Sequence, residues 1–176
     1  MKPVVLQLID SFHQGGSERQ AIQLTRLLHE SGRFNVRLAS LSPDGTLRGA
    51  AEELDLGEIP SFPLDKFYNL NALVQLRRLV AFLRRERVDI LHTHDFYTNV
   101  FGMAAGSFAR VPARIASMRE TGGMRSVAQK KAQHVAYGLA HQVIANSEAV
   151  FRELVDQGIK YTKIAVVYNG LDVNRL

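Results

Sequence analysis

Apolar residues along the chain keep two alternating rhythms. Short apolar runs of strand length recur at residues 4–9, 36–41, 59–64, 88–93, 114–118, 142–145 and 163–168. Between them lie segments whose apolar positions are spaced by three and four, such as Ala21, Leu24, Leu27 and Leu28, or Leu73, Leu76, Val80 and Leu83. Strand alternating with helix predicts an α/β fold, a single Rossmann-like domain over residues 1–176. Its parallel sheet has about seven strands, and right-handed crossovers place helices on both faces.

Turn chemistry punctuates this pattern. Ser31-Gly32 closes the first helix, Ser42-Pro43-Asp44-Gly45 marks a turn, and Asn69 or Asn71 can cap a helix running to about Arg85. The prolines at 60 and 63 place the third strand near a sheet edge. Gly102, Ala104, Ala105 and Gly106 allow the following helix to pack closely on the sheet, and Ser147 caps the helix after the sixth strand.

The first strand runs through a short polar loop into Gly15-Gly16-Ser17-Glu18-Arg19-Gln20. Ser17 with Gln20 fits a capping box, which starts the helix at the glycines. Paired glycines let a ligand approach backbone N–H groups, and a helix start adds partial positive charge, so the turn suits a phosphate. A ligand-free tight turn fits the same residues. There is no G-x-x-x-x-G-K-[ST] and no third glycine completing G-x-G-x-x-G, and the second strand does not end in a ribose-binding acid, which argues against NAD.

Composition narrows the class. The chain has 46% hydrophobic and 22% charged residues and no cysteine, and its apolar runs are too short to span a membrane, so a cytoplasmic, disulfide-free domain is expected. A net charge of +5 favours anionic partners. Arg77, Arg78, Arg84, Arg85 and Arg87 cluster on one helix, which reads first as a solvated face and permits a peripheral membrane contact. No aromatic-interleaved reader motif supports nucleic-acid binding.

Ligands in parallel sheets bind beyond the carboxyl ends of the strands. That rule gathers Gly15, Gly16, His94, Asp95, Arg119, Glu120, Asn146, Ser147 and Asn169 on one rim. His92 and His94 share a strand face with Asp95 just beyond, which suits either a metal set or a packed His92 with His94 reaching the cleft. Arg119 and Glu120 can pair as a rim salt bridge or contact a ligand, and Gly122-Gly123 suggests a mobile loop.

Four motifs in register, Gly15-Gly16-Ser17-Glu18, His92-Thr93-His94-Asp95, Val143-Ile144-Ala145-Asn146-Ser147 and Val166-Val167-Tyr168-Asn169-Gly170-Leu171-Asp172, resemble the N-terminal domain of GT-B glycosyltransferases of family 4. The resemblance implies a retaining hexosyl transfer from a nucleotide-sugar donor to a glycan or lipid-linked acceptor, as in cell-envelope polysaccharide biosynthesis. It places Gly15, Gly16 and Ser17 toward the donor phosphate or sugar, and His94, Asp95, Arg119, Glu120 and Asn146 on the acceptor side. It assigns donor binding and most catalytic residues to a C-terminal GT-B domain, with no metal or cofactor, so that this domain alone is inactive. Many members carry a histidine after the fifth strand, where this chain has Arg119. Two other readings stand beside it, a non-enzymatic nucleotide or sugar-phosphate binding module and a metal-dependent hydrolase using His92, His94 and Asp95.

Overall fold

The computed structural model describes residues 1–64, 69–120 and 125–170. In chain order it contains β1 (Val4–Ile9), α1 (Gly16–Glu30), β2 (Asn35–Ser40), α2 (Arg48–Glu52), α3 (Leu70–Arg85), β3 (Ile90–Thr93), α4 (Phe96–Ala109), β4 (Ala113–Met118), α5 (Val127–Leu139), β5 (Gln142–Ala145), α6 (Glu148–Asp156) and β6 (Ile164–Val166). Six strands form one parallel sheet in the order β2-β1-β3-β4-β5-β6. The order reverses between β1 and β3, which opens a crevice at their carboxyl ends.

The run 59–64, expected as a seventh strand, is reduced to a single parallel bridge between Ser40 and Ser61. Ser40 N–H donates to the Pro60 carbonyl and Phe62 N–H to the Ser40 carbonyl. Pro60 and Pro63 have no N–H to extend that pairing, so the ladder stops after one step. The Ser40 and Ser61 hydroxyls complete the bridge at 2.9 Å.

Two buried clusters fill the faces of the sheet. Ile9, Val36 and Leu38 pack with Ala21 and Ile22 of α1 on one side. Leu6, Leu8, Leu91, Ala116 and Val143 meet the helices of the other side, where α4 lies between α3 and α5. Glycine brings α4 down onto the strands. A Cβ built on Gly102 would sit 2.6 Å from Thr93 Cγ2, and one on Gly106 2.8 Å from Leu91 Cδ2. At Gly45, φ is +130° and an added Cβ would overlap the backbone of Phe12 and His13, so the 42–45 turn locks the loop leading to α1. Leu47 N–H donates to the Phe12 carbonyl at 2.9 Å and fixes the same contact from the other side.

Asn69 caps α3 through a bond from Ala72 N–H at 2.9 Å, and Ser147 caps α6 through Val150 N–H. The capping box expected at Ser17 and Gln20 is absent. Gly15 takes the N-cap position with extended backbone and no side-chain cap, which leaves Ser17 inside the first turn. Gln20 instead binds Gly170 reciprocally, donating to its carbonyl at 2.8 Å and accepting its N–H at 3.2 Å. Among the described residues no helix is long and apolar enough to cross a membrane.

Candidate functional site

A cavity of about 590 Å³ opens at the carboxyl end of the sheet, between the starts of α1 and α4 and the residues after β4. Gly16 and Ser17 line it from the first turn of α1, whose leading N–H groups no side chain caps. The two glycines differ. A Cβ built on Gly16 meets nothing within 4 Å, whereas one on Gly15 would overlap the Glu18 carboxylate folded back over it. Gly16 therefore faces the cavity, and Gly15 lies beneath Glu18.

His94 is almost fully buried, yet forms part of the cavity wall. Its Nε2 lies 2.6 Å from Gln7 Oε1 on β1, and its Nδ1 lies 3.2 Å from Arg119 Nη2. A guanidinium can only donate, so Nδ1 accepts and Nε2 carries the proton. Burial, with His92 and Arg119 adding, holds the ring well below the usual histidine range and so neutral. His92 turns to Ser117 Oγ at 2.8 Å, and burial then Arg119 push its pKa down to about 3. It borders a second, smaller cavity of about 140 Å³ beside α1.

Arg119 joins the two cavities. Besides His94, it donates from Nη1 to Asn169 Oδ1 at 2.9 Å, and its carbonyl accepts from Asn146 Nδ2 at 2.8 Å. It forms no ion pair among the described residues, and its Nε is buried without a partner. The expected Arg119–Glu120 pair does not form, because neighbours at a strand end point to opposite sides. Glu120 instead binds Arg125 at 2.5 Å, and Arg125 also donates to Gln133 at 2.6 Å. Asn146 stands behind Arg119 on the smaller cavity rather than in the larger one.

Asp95 is the N-cap of α4. Its Oδ1 accepts from Thr98 N–H at 2.9 Å and its Oδ2 from Thr98 Oγ1 at 3.0 Å. Burial raises its pKa to about 7, with Asp10 and Glu18 adding and the Thr98 bonds opposing. Asp10 is itself raised, by burial and then by Glu18, with His13 opposing. The His92, His94 and Asp95 set expected for a hydrolase does not converge on one point, since both Asp95 oxygens serve Thr98 and the histidines face different cavities. Among the described residues no group of three His, Cys, Asp or Glu could hold a metal.

The structure therefore brings Gly16, Ser17, His94, Asp95, Arg119 and Glu120 around one cavity and leaves Gly15 and Asn146 just behind its wall. Gly122, Gly123, Leu171 and Asp172 lie outside the described residues. Sequence reasoning missed Gln7, Asp10, Arg125 and Gln133. Gln7 interrupts an apolar strand and Asp10 ends it, so both carried a signal. Arg125, just before α5, and Gln133 on α5 carried none.

Residues 14–175 match Glycosyltransferase Family 4. No curated protein sequence matches the chain. Among solved structures, the Anabaena protein Alr3699/HepE in complex with UDP superposes with a TM-score of 0.78 at 22% identity, covering 99% of this chain and 45% of that one. UDP-N-acetylglucosamine 2-epimerase from Rickettsia bellii gives 0.68 at 9% identity over 96% and 45%. The lipopolysaccharide outer core galactosyltransferase WaaB gives 0.67 at 13% over 97% and 46%. At these identities the likeness is one of fold, and the chain spans less than half the length of each neighbour.

Proposed function

The chain belongs to Glycosyltransferase Family 4, and from that premise we propose that it supplies the acceptor half of a retaining hexosyltransferase, with a C-terminal domain holding the nucleotide-sugar donor. The observation that carries this reading is the uncapped start of α1 at Gly16 and Ser17, which opens onto the same cavity as Arg119. A helix start and a guanidinium facing one space suit the charge of a donor's phosphate as it enters from a facing domain. The acceptor, a glycan or a lipid-linked sugar, then occupies the His94 and Asp95 side. Neutral His94 serves there as a fixed wall, and domain closure excludes water and brings the acceptor hydroxyl to the donor carbon. The UDP and UDP-glucose complexes of HepE support a nucleotide-sugar donor, and WaaB offers a precedent for envelope glycans. No nucleophile or metal is assigned to this half, and the chain alone is expected to be inactive.

Gly16→Val tests the proposal, because the space beyond Gly16 is empty and the fold should survive the change. Sugar transfer by the protein joined to its donor-binding domain, measured across several nucleotide sugars, should fall at least tenfold with thermal stability nearly unchanged. Undiminished transfer in a folded Gly16→Val protein would refute the role of the loop.

A further inference from the structure

The larger cavity has an aromatic edge. Phe96 and Tyr97 open α4 immediately after its N-cap, and both line the cavity. Their rings meet edge to face, with centroids 5.2 Å apart and planes tilted by 73°. The Arg125 guanidinium lies over the Phe96 ring, 5.0 Å from its centroid, while its N–H groups serve Glu120 and Gln133. Phe96 is thus half-buried and held between Arg125 and Tyr97. Tyr97 braces against it and still keeps 45% of its surface exposed. A braced, exposed ring offers a flat apolar surface at small entropic cost, since a tyrosine has only about two χ angles to fix.

The α1 side of the same cavity has the opposite character. Asp10 at the end of β1 and Glu18 in the first turn of α1 both line it. Neither carboxylate has a hydrogen-bond or ion-pair partner among the described residues. They also act on each other, since Glu18 follows burial as a cause of the raised pKa of Asp10. The two cations of the wall are engaged elsewhere. Arg125 pairs with Glu120, and Arg119 gives its hydrogen bonds to His94 and Asn169. Unpaired carboxylates take hydrogen bonds from hydroxyl groups and repel a further anion.

We infer that the acceptor unit held in this cavity is a pyranose ring without negative charge, stacked by its C–H face on Tyr97 and donating hydroxyl hydrogens to Asp10 and Glu18. The inference rests on the assignment of the His94 and Asp95 side to the acceptor, and it narrows that acceptor to one chemical class. A ring bearing phosphate or carboxylate would set its charge against Asp10 and Glu18. A wholly apolar ligand would take both carboxylates out of water without giving them a donor. A sugar ring presents an apolar face and a hydroxyl edge together, which is what the α4 and α1 sides ask for. The cavity of about 590 Å³ holds such a ring and leaves space for the sugar in transfer, whose phosphate lies toward Gly16 and Arg119.

Saturation-transfer NMR decides it, on the protein joined to its donor-binding domain and without any donor, so the readout does not depend on sugar transfer. The probes are methyl β-glucoside, methyl β-galactoside, methyl β-glucuronide and methyl β-glucoside 6-phosphate. At least one neutral glycoside should bind, with saturation strongest on the protons of one ring face, and the two anionic probes should bind roughly tenfold more weakly or worse. Tyr97→Ala should weaken the neutral probe roughly tenfold, Tyr97→Phe by no more than about twofold, and thermal melts should show both folded. Asp10→Asn with Glu18→Gln should narrow the gap between neutral and anionic probes severalfold. Equal loss in Tyr97→Phe and Tyr97→Ala would overturn the stacking, and an anionic probe that binds as well as the neutral ones would overturn the charge selection. No binding of either neutral probe would overturn both. UDP affinity should be unchanged in Tyr97→Ala, and an equal loss there would give the ring to domain closure instead. If Gly16→Val abolishes transfer while Tyr97→Ala leaves the neutral probes bound as before, the transferase reading stands and this inference falls.

Discussion

Replacing Gly102 by alanine tests how closely α4 is seated on the sheet. The added Cβ would lie 2.6 Å from Thr93 Cγ2 and 2.9 Å from Leu8 Cδ2, both on side chains with no exposed surface. Carbon atoms prefer about 3.5–4.0 Å, so the overlap is near 1 Å on two sides. Overpacking of this kind costs about 1–3 kcal/mol. Alanine in a helix interior returns about 1 kcal/mol of propensity. A net loss of about 1 kcal/mol follows from those two opposing effects. Gly138 on α5 supplies the comparison, because its built Cβ meets nothing within 4 Å and the position is exposed. Gly138→Ala should therefore gain about 0.5–1 kcal/mol. The two variants should melt about 4–8 °C apart, using 2–4 °C per kcal/mol for a domain of this size. Urea titration with an unchanged m-value would show that the native state alone has changed. A Gly102→Ala protein as stable as the parent or more so would refute the close seating of α4.

Asp95→Asn keeps an N-cap acceptor but removes the titration. Asp95 has a folded pKa of about 7 against an ordinary 3.8, so its contribution is full below 3.8 and is lost as pH rises toward 7. The melting temperature of Asp95→Asn relative to the parent should climb between about pH 4 and 7, and a flat difference would contradict the burial of that carboxyl. The histidines act in the opposite sense, since folded pKa values below 6.5 give stability at neutral pH that is lost as pH falls. Nitrogen-detected NMR at pH 5.5 should show both rings neutral with the His94 proton on Nε2, and an imidazolium at His94 would break the bond from Arg119.

Much of this architecture is legible in hydrophobic periodicity, because each buried strand and each amphipathic helix satisfies its own local pattern. The run at 59–64 has the apolar content of a strand, and only its missing N–H groups remove it from the sheet. Ser17 and Gln20 have the right spacing for a capping box, but Gly15 reaches the cap position first and frees Gln20 to hold Gly170, 150 residues away. Strand topology placed His94 and Arg119 on one rim, whereas their direct bond depends on side-chain reach that no spacing encodes. Glu120 and Asp95 show the same limit, since Arg125 reaches Glu120 from the segment just before α5 and Thr98 is set by a local cap.

The line of bonds from Gln7 through His94 and Arg119 to Asn169 crosses four segments that are distant in sequence. It acts as a cross-brace on the carboxyl rim. Sliding of β1 against β3 or β4 would break a hydrogen bond to a neutral ring that has no spare proton to offer another partner. The rotamers of His94 and Arg119 are therefore frozen by folding, and a ligand arriving at this wall need not supply the ordering entropy that long side chains normally demand. Adaptation to different ligands then falls to the opposite wall, where the first turn of α1 is uncapped and Gly16 leaves open space.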